Sequence, residues 1–87
     1  PISKNDISSS ESESKNRHLV LYNDDINSFD YVINCLIEVC YHDILQAEQC
    51  AFITHYNGKC DIKKGNYKYL KPLKENLVKK GLRVTIN

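Results

Sequence analysis

The sequence predicts a small α+β sandwich: a three-stranded antiparallel sheet and three helices, in the order β-α-α-β-α-β. Three observations lead there. The chain has 87 residues, so one modest core must serve all of it. Apolar residues recur with helical spacing in three stretches and fill or alternate through three shorter ones. Glycines and turn formers punctuate the boundaries, and one sheet with helices over one face is the economical way to bury such a set.

Each element follows from local chemistry. Residues 1–17 include "SSSESES" and almost no apolar side chains, so burial cannot offset their ordering entropy. They are read as a disordered N-terminal tail, and residues 18–87 as the folded domain. "HLVLY", His18–Tyr22, is a strand, broken by the turn formers of "NDDIN". Asn27 or Ser28 then caps a helix whose positive N-terminus favours Asp30. Phe29, Val32, Ile33, Leu36, Val39 and Cys40 form its buried stripe, and it ends near Tyr41. Asp43 followed by Gln46 opens a second helix in the manner of a capping box. Ile44, Ala47, Cys50, Ala51 and Thr54 keep its period. Leu45, Phe52 and Ile53 make other sides apolar, which predicts a helix sandwiched between layers. Gly58 stops it. "KCDIK" is a short strand and "KGN" a turn. Tyr69 or Leu70, Leu73 and Leu77 mark a third helix ended by Gly81. Pro72 inside it predicts either a kink or a start only just before the proline. "LRVTI", Leu82–Ile86, is the closing strand.

Composition narrows the function. No run of 18 or more apolar residues is present, so no membrane span is expected. No signal-like pattern is visible, and a cytoplasmic setting is the expectation. Cys35, Cys40, Cys50 and Cys60 lack metal-ligand spacing and are read as reduced thiols that pack. His18 and His42 are read as exposed. The net charge of +1 hides a segregation. From His18 to Gly58 there are six acids and no Lys or Arg, and from Lys59 to Arg83 nine basic residues face only Asp61 and Glu75.

The polar chemistry crowds at "NDDINSF", Asn23–Phe29, the start of the first helix. "THYNG", Thr54–Gly58, closes the second. If the two helices form a short-looped hairpin, the start of one meets the end of the other. Asn23, Asp25, Asn27 and His55 then line a rim, and Phe29, Val32, Ala51 and Thr54 an apolar wall. Such a pocket suits a cation joined to a bulky apolar group, and the free N-terminus of a protein has that form. Asp24 points away from Asp25 in an extended bend and is read as structural. An enzyme reading takes Cys60 or Cys50 as nucleophile with His55 as base, but no nucleophile elbow, oxyanion loop or third orienting group is visible. Asp24, Asp25 and His55 make a thin metal set. The Lys-rich stretch "KKGNYKYLKPLK" supports a third reading, a nucleic-acid or ribosome-stalk-like module.

"LYNDD" at Leu21–Asp25, "AEQC" at Ala47–Cys50, "HYNGKC" at His55–Cys60 and the closing "LRVTI" resemble ClpS, from about His18 to the end. The spacing from "NDD" to "HYNG" fits that family without a gap, and the stretch after Lys59 is shorter than in many members. ClpS proteins are non-catalytic adaptors for the Clp AAA+ protease that bind substrates bearing bulky hydrophobic N-terminal residues. The resemblance implies an α-amino site at Asn23, Asp25 and His55. It implies a side-chain pocket walled by Asn27, Phe29, Val32, Ala51, Thr54 and Leu82. It implies no cofactor or metal, no nucleic acid and no membrane. The protein is expected to act as a monomer that docks on the N-terminal domain of a ClpA- or ClpC-type unfoldase, with the N-terminal tail taking part in delivery. Departures from the common pattern concentrate in the pocket. Thr is usual where Asn27 stands, Met where Phe29 stands, Val at Thr54, and a Met gatekeeper at Ala51.

Overall fold

The computed structural model describes residues 16–87. The elements are β1 (Arg17–Tyr22), α1 (Phe29–Cys40), α2 (Ile44–Asn57), β2 (Lys59–Gly65), α3 (Tyr67–Lys79) and β3 (Arg83–Ile86). This is the expected α+β order. The disordered tail expected over residues 1–17 lies, up to residue 15, outside the described residues; Arg17 already belongs to β1.

The central strand is β1, with β2 and β3 antiparallel on either side. Leu19 and Leu21 of β1, Cys60 and Ile62 of β2 and Val84 of β3 are buried on one face of the sheet. They meet Leu36 and Val39 of α1, Ala47 and Cys50 of α2, and Leu70 and Leu77 of α3 in one hydrophobic cluster. Alternation in the strands and three-to-four spacing in the helices thus converge on one core.

Capping sets the helix boundaries. Ser28 Oγ accepts from Tyr31 N–H at 3.1 Å, so Ser28 rather than Asn27 caps α1. Asp43 Oδ1 accepts from Gln46 N–H at 2.7 Å at the start of α2. Gly58 follows α2 with φ +91°, where a side chain would be strained.

One helix expectation needs correction, and one of two alternatives for another falls away. α2 is not sandwiched: Leu45 is 74 % exposed and Phe52 54 %, while Ala47, Cys50, Ala51 and Thr54 are buried. A domain of two layers has nothing left to cover the outer face. α3 does not start just before Pro72. It starts at Tyr67, because Asn66 Oδ1 accepts from Tyr69 N–H at 2.8 Å and nucleates the helix earlier. The missing proline N–H leaves the Lys68 carbonyl, and both residues are exposed, so water can serve it.

His42, expected on the surface, is 3 % exposed. Tyr41 takes a left-handed conformation (φ 58°) at the end of α1 and sends the chain inward. The β1–β2 register shifts between Leu19 and Val20, which leaves Ile62 as the extra residue of a bulge. His42 Nε2 lies 2.8 Å from the Ile62 carbonyl. A carbonyl only accepts, so Nε2 carries the hydrogen. Nδ1 is buried with no hydrogen-bond partner among the described residues. Burial holds the imidazole below its usual pKa; the Ile62 hydrogen bond and Asp43 oppose this, and Lys63 adds to it. The folded value is therefore depressed. The stability it confers is present in full above the unfolded value of about 6.5 and is lost as pH falls through the folded value. Thermal unfolding is expected to move to lower temperature between pH 7.5 and 5.5, and His42→Gln to flatten that dependence. An unchanged pH slope in the variant would remove His42 from the account.

Candidate functional site

The end of β1 brings the site together. Tyr22 pairs with Lys59, and Asn23 N–H donates to the Gly58 carbonyl at 2.9 Å. Because Gly58 directly follows α2, this pairing draws the Asn23–Asn27 turn against the last turn of that helix. The helical hairpin expected to do this is present, but strand pairing makes the tie.

Asp24 builds the turn. Its Oδ1 accepts from Ile26 N–H at 2.9 Å and Asn27 N–H at 2.8 Å, and its Oδ2 from Asn27 Nδ2 at 2.9 Å. Partial burial alone would raise its pKa; the hydrogen bonds from Asn27 and Ile26 outweigh it and hold the carboxyl below the usual range. Asn27 Nδ2 also donates to the Gly81 carbonyl at 3.0 Å, which fastens the turn to the corner between α3 and β3. Asp24→Ala is expected to cost about 1–2 kcal/mol in urea unfolding, three charge-assisted bonds discounted for partial exposure. It is also expected to weaken ligand binding, though its own oxygens are occupied. Unaltered stability would show the turn to be held from elsewhere.

Asp25 is different. It is exposed, and its carboxylate makes no hydrogen bond or ion pair among the described residues. The same holds for the side-chain hydrogen-bonding groups of Asn23 and His55, both exposed. His55 packs edge-on against Tyr56, with ring centroids 4.8 Å apart. Three unspent polar groups thus stand at the opening of a cavity of about 500 Å³. That size lies within the range of small-ligand sites, roughly 300–1,000 Å³. Asn23, Asp25, Asn27, Phe29, Val32, Ala51, Thr54 and His55 all line it. The Thr54 hydroxyl donates to the Cys50 carbonyl at 2.8 Å, so this position offers no free donor and acts much as a Val would. Phe29 is 44 % exposed and leaves the cavity open.

Residues 12–85 match the family model described as ATP-dependent Clp protease adaptor protein ClpS. The chain belongs to the ClpS family. No curated protein matches it closely enough to add to this. The family's role is that of an adaptor to the ATP-dependent Clp protease, not of the protease. Among the described residues, no helix is long and apolar enough to cross a membrane.

Within this ClpS-family fold, one pocket residue is misplaced by the resemblance. Leu82 is buried in the main core and is not part of the cavity lining. Leu21, Tyr22, Phe52 and Tyr56 also line the cavity and escaped the sequence reading. Phe52 and Tyr56 stand one helical turn apart with ring centroids at 4.5 Å, and both line the cavity. Their i, i+4 spacing beside Ala51 and His55 was the available signal. Nor is the acidic stretch isolated in space. Lys59 and Arg83 both pair with Tyr22, whose hydroxyl accepts from Thr85 Oγ1 at 3.3 Å and which lines the cavity.

The enzyme and metal readings fare poorly. All four cysteines are free and buried. Burial pushes the Cys50 thiol up and, with Cys50 beside it, the Cys60 thiol up to about 12. Neither supplies a thiolate at neutral pH. Asp24, one of the three candidate metal ligands, is committed to the turn. The Lys-rich stretch lies on β2 and α3 and contributes nothing to the cavity lining.

Proposed function

We propose that this chain recognises proteins by a free, bulky hydrophobic first residue and delivers them to a Clp AAA+ unfoldase, docking on that enzyme's N-terminal domain. Asn23 and Asp25 accept the ammonium hydrogens, directly or through water, and His55 contributes one ring nitrogen. The side chain enters between Phe29, Val32, Ala51 and Thr54, beside Asn27. One observation carries the reading: unspent polar side chains stand at the mouth of an apolar cavity, while the neighbouring Asp24 is fully engaged. A cation alone loses too little solvent there, and an apolar side chain alone leaves the acceptors idle. Neither half offsets the cost of association by itself. The test is an array of peptides that differ only in the first residue. Retention confined to Phe, Leu, Tyr, Trp and similar residues supports the proposal; indifference to that residue rejects it.

A further inference from the structure

The cavity wall is uneven in the hydrogen bonds it has left to make. Asn27 Nδ2 donates to Asp24 Oδ2 and to the Gly81 carbonyl. Both partners only accept, so both amide hydrogens are spent and the nitrogen is fixed on that side. Asn27 Oδ1 keeps its lone pairs and has no hydrogen-bond partner among the described residues. It is not sealed off either. Among the described residues, the one buried side-chain nitrogen or oxygen without a partner is His42 Nδ1. An accessible acceptor thus stands on a half-buried side chain of the cavity lining.

The other buried or half-buried polar side chains of the lining bring no hydrogen to match it. Thr54 has given its own to the Cys50 carbonyl. Asp24 is a carboxylate that accepts. Tyr22 carries its hydroxyl to Thr85, on the sheet face away from the helices. The unspent side-chain donors of the lining belong to Asn23, His55 and Tyr56, which are exposed. Water or the guest must therefore supply the hydrogen for Asn27.

We infer that Asn27 Oδ1 makes the cavity select, among aromatic first residues, those whose ring carries a hydrogen-bond donor, so that Tyr and Trp bind more tightly than Phe. The inference rests on the proposed reading of the cavity. A Phe ring displaces water from Oδ1 and leaves that oxygen without a partner, which opposes binding. A phenol O–H or an indole N–H takes the water's place. Without such an acceptor the order reverses, because a phenol buried with no partner loses its hydration for nothing. Ala51 in the wall leaves room for the extra atoms of either ring.

Fluorescence polarisation with the whole chain tests this, on peptides identical after a first residue of Tyr, Trp, Phe or para-fluorophenylalanine. Fluorine fills the place of the phenol oxygen and donates nothing. Tyr and Trp are expected to bind about five- to tenfold more tightly than Phe, and para-fluorophenylalanine no better than Phe. Asn27→Ala also releases the turn from Gly81, so all four peptides weaken; the ratio is the readout, and Tyr over Phe is expected to fall to about one or below. A Phe peptide that binds as tightly as both the Tyr and Trp peptides overturns the inference and spares the cavity. So does an advantage of Tyr that para-fluorophenylalanine shares or that Asn27→Ala keeps. Should Asn27→Ala not fold, the fluorine comparison decides on the unaltered protein. Binding of all four no tighter than that of a peptide beginning with Ser overturns the cavity reading, and the inference with it.

Discussion

Acetylating the α-amino group of a Phe-initiated peptide is expected to weaken its binding by about a hundredfold or more. The free amine has a pKa of about 7.7–8.0 and is mostly charged at neutral pH. Acetylation removes that charge and two of three donors, and places a carbonyl where Asn23 and Asp25 offer oxygens. Hydrogen bonds to charged groups are worth about 1.5–3 kcal/mol each, so losing two yields the stated factor even after solvent competition at an exposed rim. Asp25→Ala removes a single acceptor and leaves water free to replace it, so a smaller loss of about five- to tenfold is expected. The ordering of the two effects matters more than either size. A titration in which free and acetylated peptides bind alike would falsify the ammonium site. A loss on acetylation with no loss in Asp25→Ala would move it toward Asn23 and His55.

That Asp24 serves the turn was legible in the sequence, since an Asp among turn formers can accept the backbone N–H groups that follow it. That it faces away from Asp25 was not met: both line the same cavity. Asp43 and Gly58 were legible, and Ser28 as one of two candidates, because a cap acts on its own neighbours, so sequence distance and spatial distance coincide. His42 was not. Its burial depends on a left-handed Tyr41 and on a β-bulge at Ile62, twenty residues on, and neither leaves a mark in the local pattern. Leu82 failed for the opposite reason. Its apolar character suits a wall and a core equally, and it packs in the core. The outer face of α2 was misread because periodicity reports that a side chain is apolar, not what stands opposite it. The residues misjudged as sandwiched include Phe52, which proved to line the cavity.

Ala51→Met is expected to change the preference for Ile over Leu as first residue by about tenfold, against Ile. Ala51 is 3 % exposed and sits in the cavity wall. In the proposed mode of binding, its methyl group leaves width beside the Cβ of the first residue. Leu branches one carbon further out and can pass a narrow neck. Ile branches at Cβ and needs the width there. A Met side chain at this position, unbranched and long, reaches into the cavity across that neck. One methyl group in an apolar pocket discriminates by about 1–3 kcal/mol, which brackets the tenfold change. Phe29 does not substitute for the missing bulk, since it lies partly in solvent and the cavity remains open beside it. Ala51 also belongs to the hydrophobic core, so the added bulk is expected to cost about 1–3 kcal/mol, and the comparison is made where unfolding curves show both proteins folded. If the fold survives and the Ile-to-Leu ratio does not move, Ala51 is not the wall against which the first side chain rests, and the selectivity of the pocket lies with Phe29, Val32 and the Phe52 ring.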